Sequence, residues 1–143
     1  VIPAVFDASV AVKACLPVPG HEQALAAIRR YAMVAPAFIV TEVANAIWKY
    51  HRNGDIDGAT SLEIIRNFAG YPDIRPDLTL QAEALQMACE LDHPVYDCLY
   101  MTLARRDGLP LISADKRMVR IANDQLGLHT IPLSTIPIED DTP

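Results

Sequence analysis

Two short apolar runs, each closed by a carboxylate, constrain this chain more than any other feature. Residues 1–6 end at Asp7, and residues 109–113 are followed two positions later by Asp115. Unbroken apolar stretches of this length read as strands buried on both faces, which belong to parallel sheets covered by helices. Residues 129–132 read as a closing strand, and residues 72–76 leave room for one very short one. Between these runs the apolar period is helical. Helices are expected over 8–16, over 21–31, from Pro36 to about Asn53, from Asp55 or Asp57 to Gly70, and over 78–91, 96–106 and 115–126. Strands alternating with dominant helices predict the α/β class, as a three-layer α/β/α sandwich around a small parallel sheet.

The 143 residues suit one domain, assigned to 1–133, with an acidic and flexible tail over 134–143. A hydrophobic content of 51% supports a core without covalent staples, and an aromatic content of only 6% makes it a core of Ala, Val, Ile and Leu. No apolar run approaches the roughly 18 residues of a membrane span. The apolar start is too short for a signal peptide, and the missing initiator Met leaves open residues before Val1. Cys15, Cys89 and Cys98 are odd in number and lack C-x-x-C spacing, so they read as free buried thiols in a reducing cytosol. His21, His51, His93 and His129 have no ligand spacing and read as surface or half-buried residues, which argues against zinc.

Four carboxylates stand out by position. Asp7 and Asp115 follow strands, and ligand sites in open parallel sheets form outside the carboxyl ends of the strands. Asp97 starts a helix after the Pro94 loop, and Glu42 lies early in another with Asn45 close by. Carboxylates drawn together raise one another's pKa and oppose folding unless a cation neutralises them. Oxygen-only ligation favours a hard ion, Mg²⁺ or Mn²⁺, and such ions activate water and clamp a phosphodiester. Taken singly, each acid is better explained as a helix cap or a surface charge. Spacing alone leaves both readings standing.

The surroundings of the acids are more specific. Asp7-Ala8-Ser9, Thr41-Glu42-Val43-Ala44-Asn45-Ala46, Tyr96-Asp97-Cys98-Leu99-Tyr100 with Leu103-Ala104, and Leu111-Ile112-Ser113-Ala114-Asp115 together resemble the PIN domain. More narrowly, they resemble the VapC toxins of toxin–antitoxin pairs. The resemblance runs from Asp7 to about Ile131, in the family's order and approximate spacing. It implies that Asp7, Glu42, Asp97 and Asp115 form an acidic quartet that binds Mg²⁺ or Mn²⁺ and cleaves RNA endonucleolytically. It implies supporting roles for Ser9, Asn45 and Ser113, a homodimer, and an antitoxin partner that sets a basic side chain against the acids. Ala8 and Ser113 depart from commoner family residues without removing a metal ligand.

A net charge of −6 weakens an RNA-binding reading without excluding it. Four negative charges belong to the proposed site and three to Glu139, Asp140 and Asp141; setting those seven aside leaves the remainder at +1. Among the basic residues Lys116 is the foremost candidate for an RNA phosphate contact, followed by Arg117 and Arg105, against the default of a solvated charged face. Trp48 reads as a core or dimer anchor before a base-stacking residue, and Tyr96 and Tyr100 read as packing beside the site. An aspartyl phosphatase would commonly carry a second Asp where Ser9 stands. A receiver domain would carry an early acidic pair and a late Lys, neither of which is present. The alternative from another class is an inactive PIN-like module that binds RNA or a partner.

Overall fold

The computed structural model describes residues 1–138. Five strands, β1 (Ile2–Phe6), β2 (Tyr31–Pro36), β3 (Asp73–Arg75), β4 (Leu111–Ser113) and β5 (Thr130–Pro132), form one parallel sheet in the order β3-β2-β1-β4-β5. The helices are α1 (Ala8–Cys15), α2 (His21–Arg30), α3 (Phe38–Arg52), α4 (Gly58–Ala69), α5 (Gln81–Leu91), α6 (Val95–Asp107) and α7 (Lys116–Leu126). The α/β sandwich expected from the sequence is therefore the fold. From β1 the chain winds outward through β2 to β3, then returns to β4 on the other side of β1 and continues to β5. The winding direction reverses between β1 and β4, which opens a crevice at their carboxyl ends.

Helix α6 is the centre of the core. Every residue from Cys98 to Ala104 is buried, so this helix is apolar around its whole circumference, as a helix enclosed by other elements must be. It packs on α5 and on β1, β2 and β4. Helices α1 to α4 form a second group, joined through the α1–α2, α1–α3 and α3–α4 contacts. The core holds the expected Ala, Val, Ile and Leu, and also all four methionines, Met33, Met87, Met101 and Met118. Unbranched and flexible, they fill the gaps that a core poor in aromatics leaves.

Strand β2 was absent from the sequence expectation, which ran a helix to residue 31 and opened the next at Pro36. The helix ends at Arg30, the strand begins at Tyr31 with no intervening turn, and Pro36 closes the strand. Ala, Met and Pro are poor strand formers, so neighbouring strands, not intrinsic propensity, impose the extended conformation here. β2 pairs with β1 and β3 along its length. In β1 only the last three residues are buried on both faces, while Ile2 is 62% exposed. Pairing to β4 begins only at Val5, so the first residues project beyond the covered part of the sheet.

The tail boundary also moves. Leu133–Thr135 forms a turn of 3₁₀ helix, and Ile136 is buried in the core, so packing continues past residue 133. Glu139, Asp140 and Asp141 lie outside the described residues. The thiols differ from one another: Cys98 is buried, Cys15 half-buried and Cys89 exposed, so Cys89 is not the buried thiol expected. No described helix is long and apolar enough to cross a membrane.

The placement of α6 predicts a large cost for emptying its centre. Leu103→Ala is expected to lose about 2–5 kcal/mol, the range for deleting a buried Leu side chain. Thermal denaturation checks this, with a Tm lowered by at least about 5 °C; an unchanged Tm would contradict the enclosed position of α6.

Candidate active site

Asp7 sits at the reversal point of the sheet. It caps α1, its side chain accepting from the Val10 amide at 3.3 Å, and its own amide donates to the Ile112 carbonyl of β4 at 3.2 Å. The β1–β4 register sets Phe6 beside Ile112, so Asp7 lies next to Ser113. Ser113 donates its hydroxyl to Asp7 Oδ2 and Ser9 donates to Oδ1, both at 2.5 Å. Each serine oxygen also accepts a backbone proton: Ser9 Oγ from Ala114 at 3.0 Å, Ser113 Oγ from Asp115 at 3.0 Å. Two hydroxyls thus lock the start of α1 to the loop that begins α7.

Asp115 caps α7, with Oδ1 accepting from the amides of Arg117 and Met118 at 2.9 and 3.2 Å. It is a helix cap and a member of the acidic group at once. Asp97 lies in the first turn of α6, and Glu42 one turn into α3. Asp97 is the hub: its charge bears on Asp7 and on Glu42, and the charge of Asp115 bears on Asp97. Burial, with those neighbours adding to it, raises the Asp7 carboxyl to about 6 and the Glu42 carboxyl to about 7. Asp97 is also pushed up by burial, partly offset by His93. The four acids expected from the sequence therefore occupy one electrostatically coupled group. Asn45 lines the same cavity as Ser9 and Glu42.

Two polar residues gain partners that the sequence reading did not give them. Tyr100, read as packing, is buried and donates its hydroxyl to Glu42 Oε1 at 2.7 Å. His93, read as surface or half-buried, is only 6% exposed, and its Nε2 lies 2.8 Å from Asp97 Oδ2. Its Nδ1 is buried without a partner among the described residues. The signal for His93 was weak, a His four residues before an acid with Pro94 between them. Tyr100 shares a helix with Asp97 at a spacing of three, which places both near one face; its bond to α3 could not be read from that spacing.

The basic candidates separate. Arg117 bears electrostatically on Asp97 and so borders the site. Lys116 lines a cavity that includes Ser113. Arg105 is near the carboxyl end of α6, 3.9 Å from Glu83, and borders the depression with Gly108 and His129 away from the acids. Trp48 is half exposed under the Arg52 guanidinium, 4.6 Å from its ring, so it is not a core anchor. Tyr96 is exposed and packs against Phe38.

Carboxylate oxygens in a coupled, partly desolvated group fit a hard divalent ion, which would relieve their repulsion. Among the described residues, no three His, Cys, Asp or Glu side chains converge tightly enough to hold an ion as they stand. The fit is thus one of charge and donor type.

The comparisons agree with this fold. The PIN domain family model matches residues 4–124, which takes in all four acids. The chain belongs to the PIN domain family. It is 26% identical over 92 residues to a protein named Exonuclease VapC9 from Pyrobaculum aerophilum, covering 64% of this chain and 68% of that one. Its likeness is thus to a VapC protein. Two crystal structures share the fold. One is PAE2754 from Pyrobaculum aerophilum, at TM-score 0.66 and 23% identity over 82% of this chain and 78% of that one. The other is FitAcB from Neisseria gonorrhoeae, at TM-score 0.61 and 15% identity over 92% and 99%.

Two predictions follow from the coupled acids. A carboxyl whose pKa is raised by folding binds protons more tightly in the folded state, so the metal-free protein loses stability as pH rises. For Asp7 the window runs from its ordinary value of 3.8 to about 6. Asp7→Asn keeps a good helix cap and removes the buried charge. In chelator at pH 8 the variant is expected to be more stable than wild type by on the order of 2–3 kcal/mol, the gap closing towards pH 4. Denaturant titrations at several pH values test this, and parallel pH profiles would refute it. Tyr100→Phe frees Glu42 while keeping the buried ring. Mn²⁺ affinity, read by calorimetry, is expected to fall about 10-fold, at the low end for loss of a residue that orients a ligand; unchanged affinity would show that Tyr100 does not position Glu42.

Proposed function

We propose that this chain is a divalent-metal-dependent endoribonuclease and the toxin component of a toxin–antitoxin pair. The observation that carries the reading is the coupling of Asp97 to Asp7, Glu42 and Asp115 at the sheet's reversal point. Burying like charges together is costly, and a structural role would be met by caps alone. Asp7, Glu42, Asp97 and Asp115 would hold Mg²⁺ or Mn²⁺, which when bound supplies Lewis-acid polarisation of a phosphodiester and an activated water.

The chain's own residues do the positioning. Ser9 and Ser113 fix both oxygens of Asp7, and Tyr100 fixes one oxygen of Glu42. His93 fixes one oxygen of Asp97. The carboxyls near 6 and 7 take up protons in the absence of a cation, so cation binding and proton release are linked. Such a site acts on phosphodiesters; the VapC relative and the family pattern support RNA as substrate and an antitoxin as partner. A homodimer and a cytoplasmic location belong to the same reading. The acidic cluster also suits a partner's arginine, whose guanidinium can pair with carboxylates in two-pronged fashion.

The name of the VapC relative specifies an exonuclease, so the mode of cutting forms part of the test. Wild type and Asp97→Asn are compared on end-labelled structured RNA with Mg²⁺, with Mn²⁺ and with chelator. Discrete internal fragments that require both metal and Asp97 are the expected result, with activity reduced at least about 100-fold in the variant, within the range for loss of a principal electrostatic group. A ladder of terminal mononucleotides would replace endonucleolytic by exonucleolytic cutting. Cleavage identical in the variant, or absent altogether, would favour the inactive binding module.

A further inference from the structure

A cavity of about 460 Å³ opens between the α1–α2 turn and α7, and it shares a wall with the acidic site. Ser113, which donates to Asp7, is part of that wall. Three cations line it: Lys13 from α1, and Lys116 and Arg120 from α7. None of the three forms an ion pair with a described residue, whereas Arg75, Arg105 and Arg106 each lie against an acid. In a chain of net charge −6, this cavity gathers three cations that have no ion pair among the described residues. Gln23 and Asn123 add amide groups, and Asp124 is the one carboxylate in the lining.

The position of Lys13 is set by the backbone. Gly20 has φ +91°, and a Cβ there would lie 2.9 Å from Lys13 Cδ. The glycine therefore clears the path along which the Lys13 chain lies. His21 Nδ1 holds the Lys13 carbonyl at 2.7 Å, closing the α1–α2 turn over the same spot. Lys13 also borders a second cavity, of about 320 Å³, which holds Ser9, Glu42, Asn45 and Lys49. One lysine thus joins the two concavities on either side of the start of α1.

Resting on the nuclease reading above, we infer that the larger cavity is a subsite for single-stranded RNA. It takes the nucleotide next to the scissile linkage, with Lys13, Lys116 and Arg120 on the flanking phosphate. Its volume falls in the range of pockets that enclose small ligands. The apolar floor, made by Val119, Pro132 and Leu133, suits the face of a ribose or base. A duplex presents its phosphates on a convex A-form surface and cannot enter such a concavity, so unpaired RNA is the class that fits.

The test uses the full chain carrying Asp97→Asn, without metal, and fluorescence anisotropy with a short fluorescein-labelled single-stranded RNA pool of random sequence. Lys13→Gln, Lys116→Gln and Arg120→Gln are each expected to weaken binding about 3- to 10-fold and to lower the log–log salt slope by about 0.7. Arg66→Gln, an exposed cation outside the cavity, is expected to change neither. Cavity variants that bind like the parent, or an Arg66→Gln loss of equal size, would overturn the subsite. If wild type cleaves RNA and the cavity variants bind and cleave normally, only the subsite falls. If wild type neither binds nor cleaves RNA, the nuclease reading falls and the subsite with it. A cavity serving an acidic protein segment instead would leave RNA affinity unchanged, which is the overturning result.

Discussion

The carboxylate of Asp7, the one buried acid among the described residues, organises the rest of the site. Its two oxygens accept from hydroxyls that stand 104 positions apart in the chain, Ser9 and Ser113. Those hydroxyls accept in turn from the amides of Ala114 and Asp115. The carboxyl end of β1, the first turn of α1 and the entry to α7 are therefore one hydrogen-bonded unit. A buried polar network of this kind fixes geometry only when its members are satisfied. The parallel register of β1 and β4 is what makes the satisfaction possible, because it sets Asp7 beside Ser113.

Clustering the other three acids around Asp7 opposes stability, and the fold limits that opposition. Asp7 and Asp115 cap helices and Asp97 occupies a first turn, so three helix N-termini bring positive dipole ends to the group. Tyr100 and His93 add single hydrogen bonds to Glu42 and Asp97. These terms do not fully offset burial, since the carboxyls of Asp7, Glu42 and Asp97 remain raised. The remaining cost is what a bound cation, or a basic group from a partner, is suited to remove. Like charges held together at this crevice thus lower the stability of the metal-free fold.

The legible parts of the fold are those where sequence and environment agree. β1 and β4 are apolar runs ended by acids, and α7 has a clear apolar stripe, with Asp115 before it and Gly127 after it. β2 was illegible because Tyr-Ala-Met-Val-Ala-Pro carries little strand propensity and follows α2 without a turn residue. Its conformation comes from two neighbouring strands, information that no local window contains. The four acids were legible as a set through their surroundings, while their coupling became visible only with the fold. The bond from Tyr100 to Glu42 spans 58 positions and depends on how α6 lies against α3. His93 is buried because the chain turns at Asp92, a non-glycine residue at φ 50°, and then at Pro94 before entering α6. Neither residue announces that turn's outcome.

The cap and site readings of the acids do not exclude one another in this geometry. A capping acid needs one oxygen directed at its own helix, and Asp115 uses Oδ1 alone for both amides it accepts from. Its other oxygen takes no hydrogen bond from a described residue. Capping then also serves to orient the residue, because the helix end fixes the carboxylate plane. At Asp7 both oxygens are engaged, Oδ1 by the Val10 amide and Ser9 and Oδ2 by Ser113. An acid at a helix start is therefore weak evidence against a functional role. Three helix starts converging on one sheet reversal, each with an acid, are more than secondary structure alone requires.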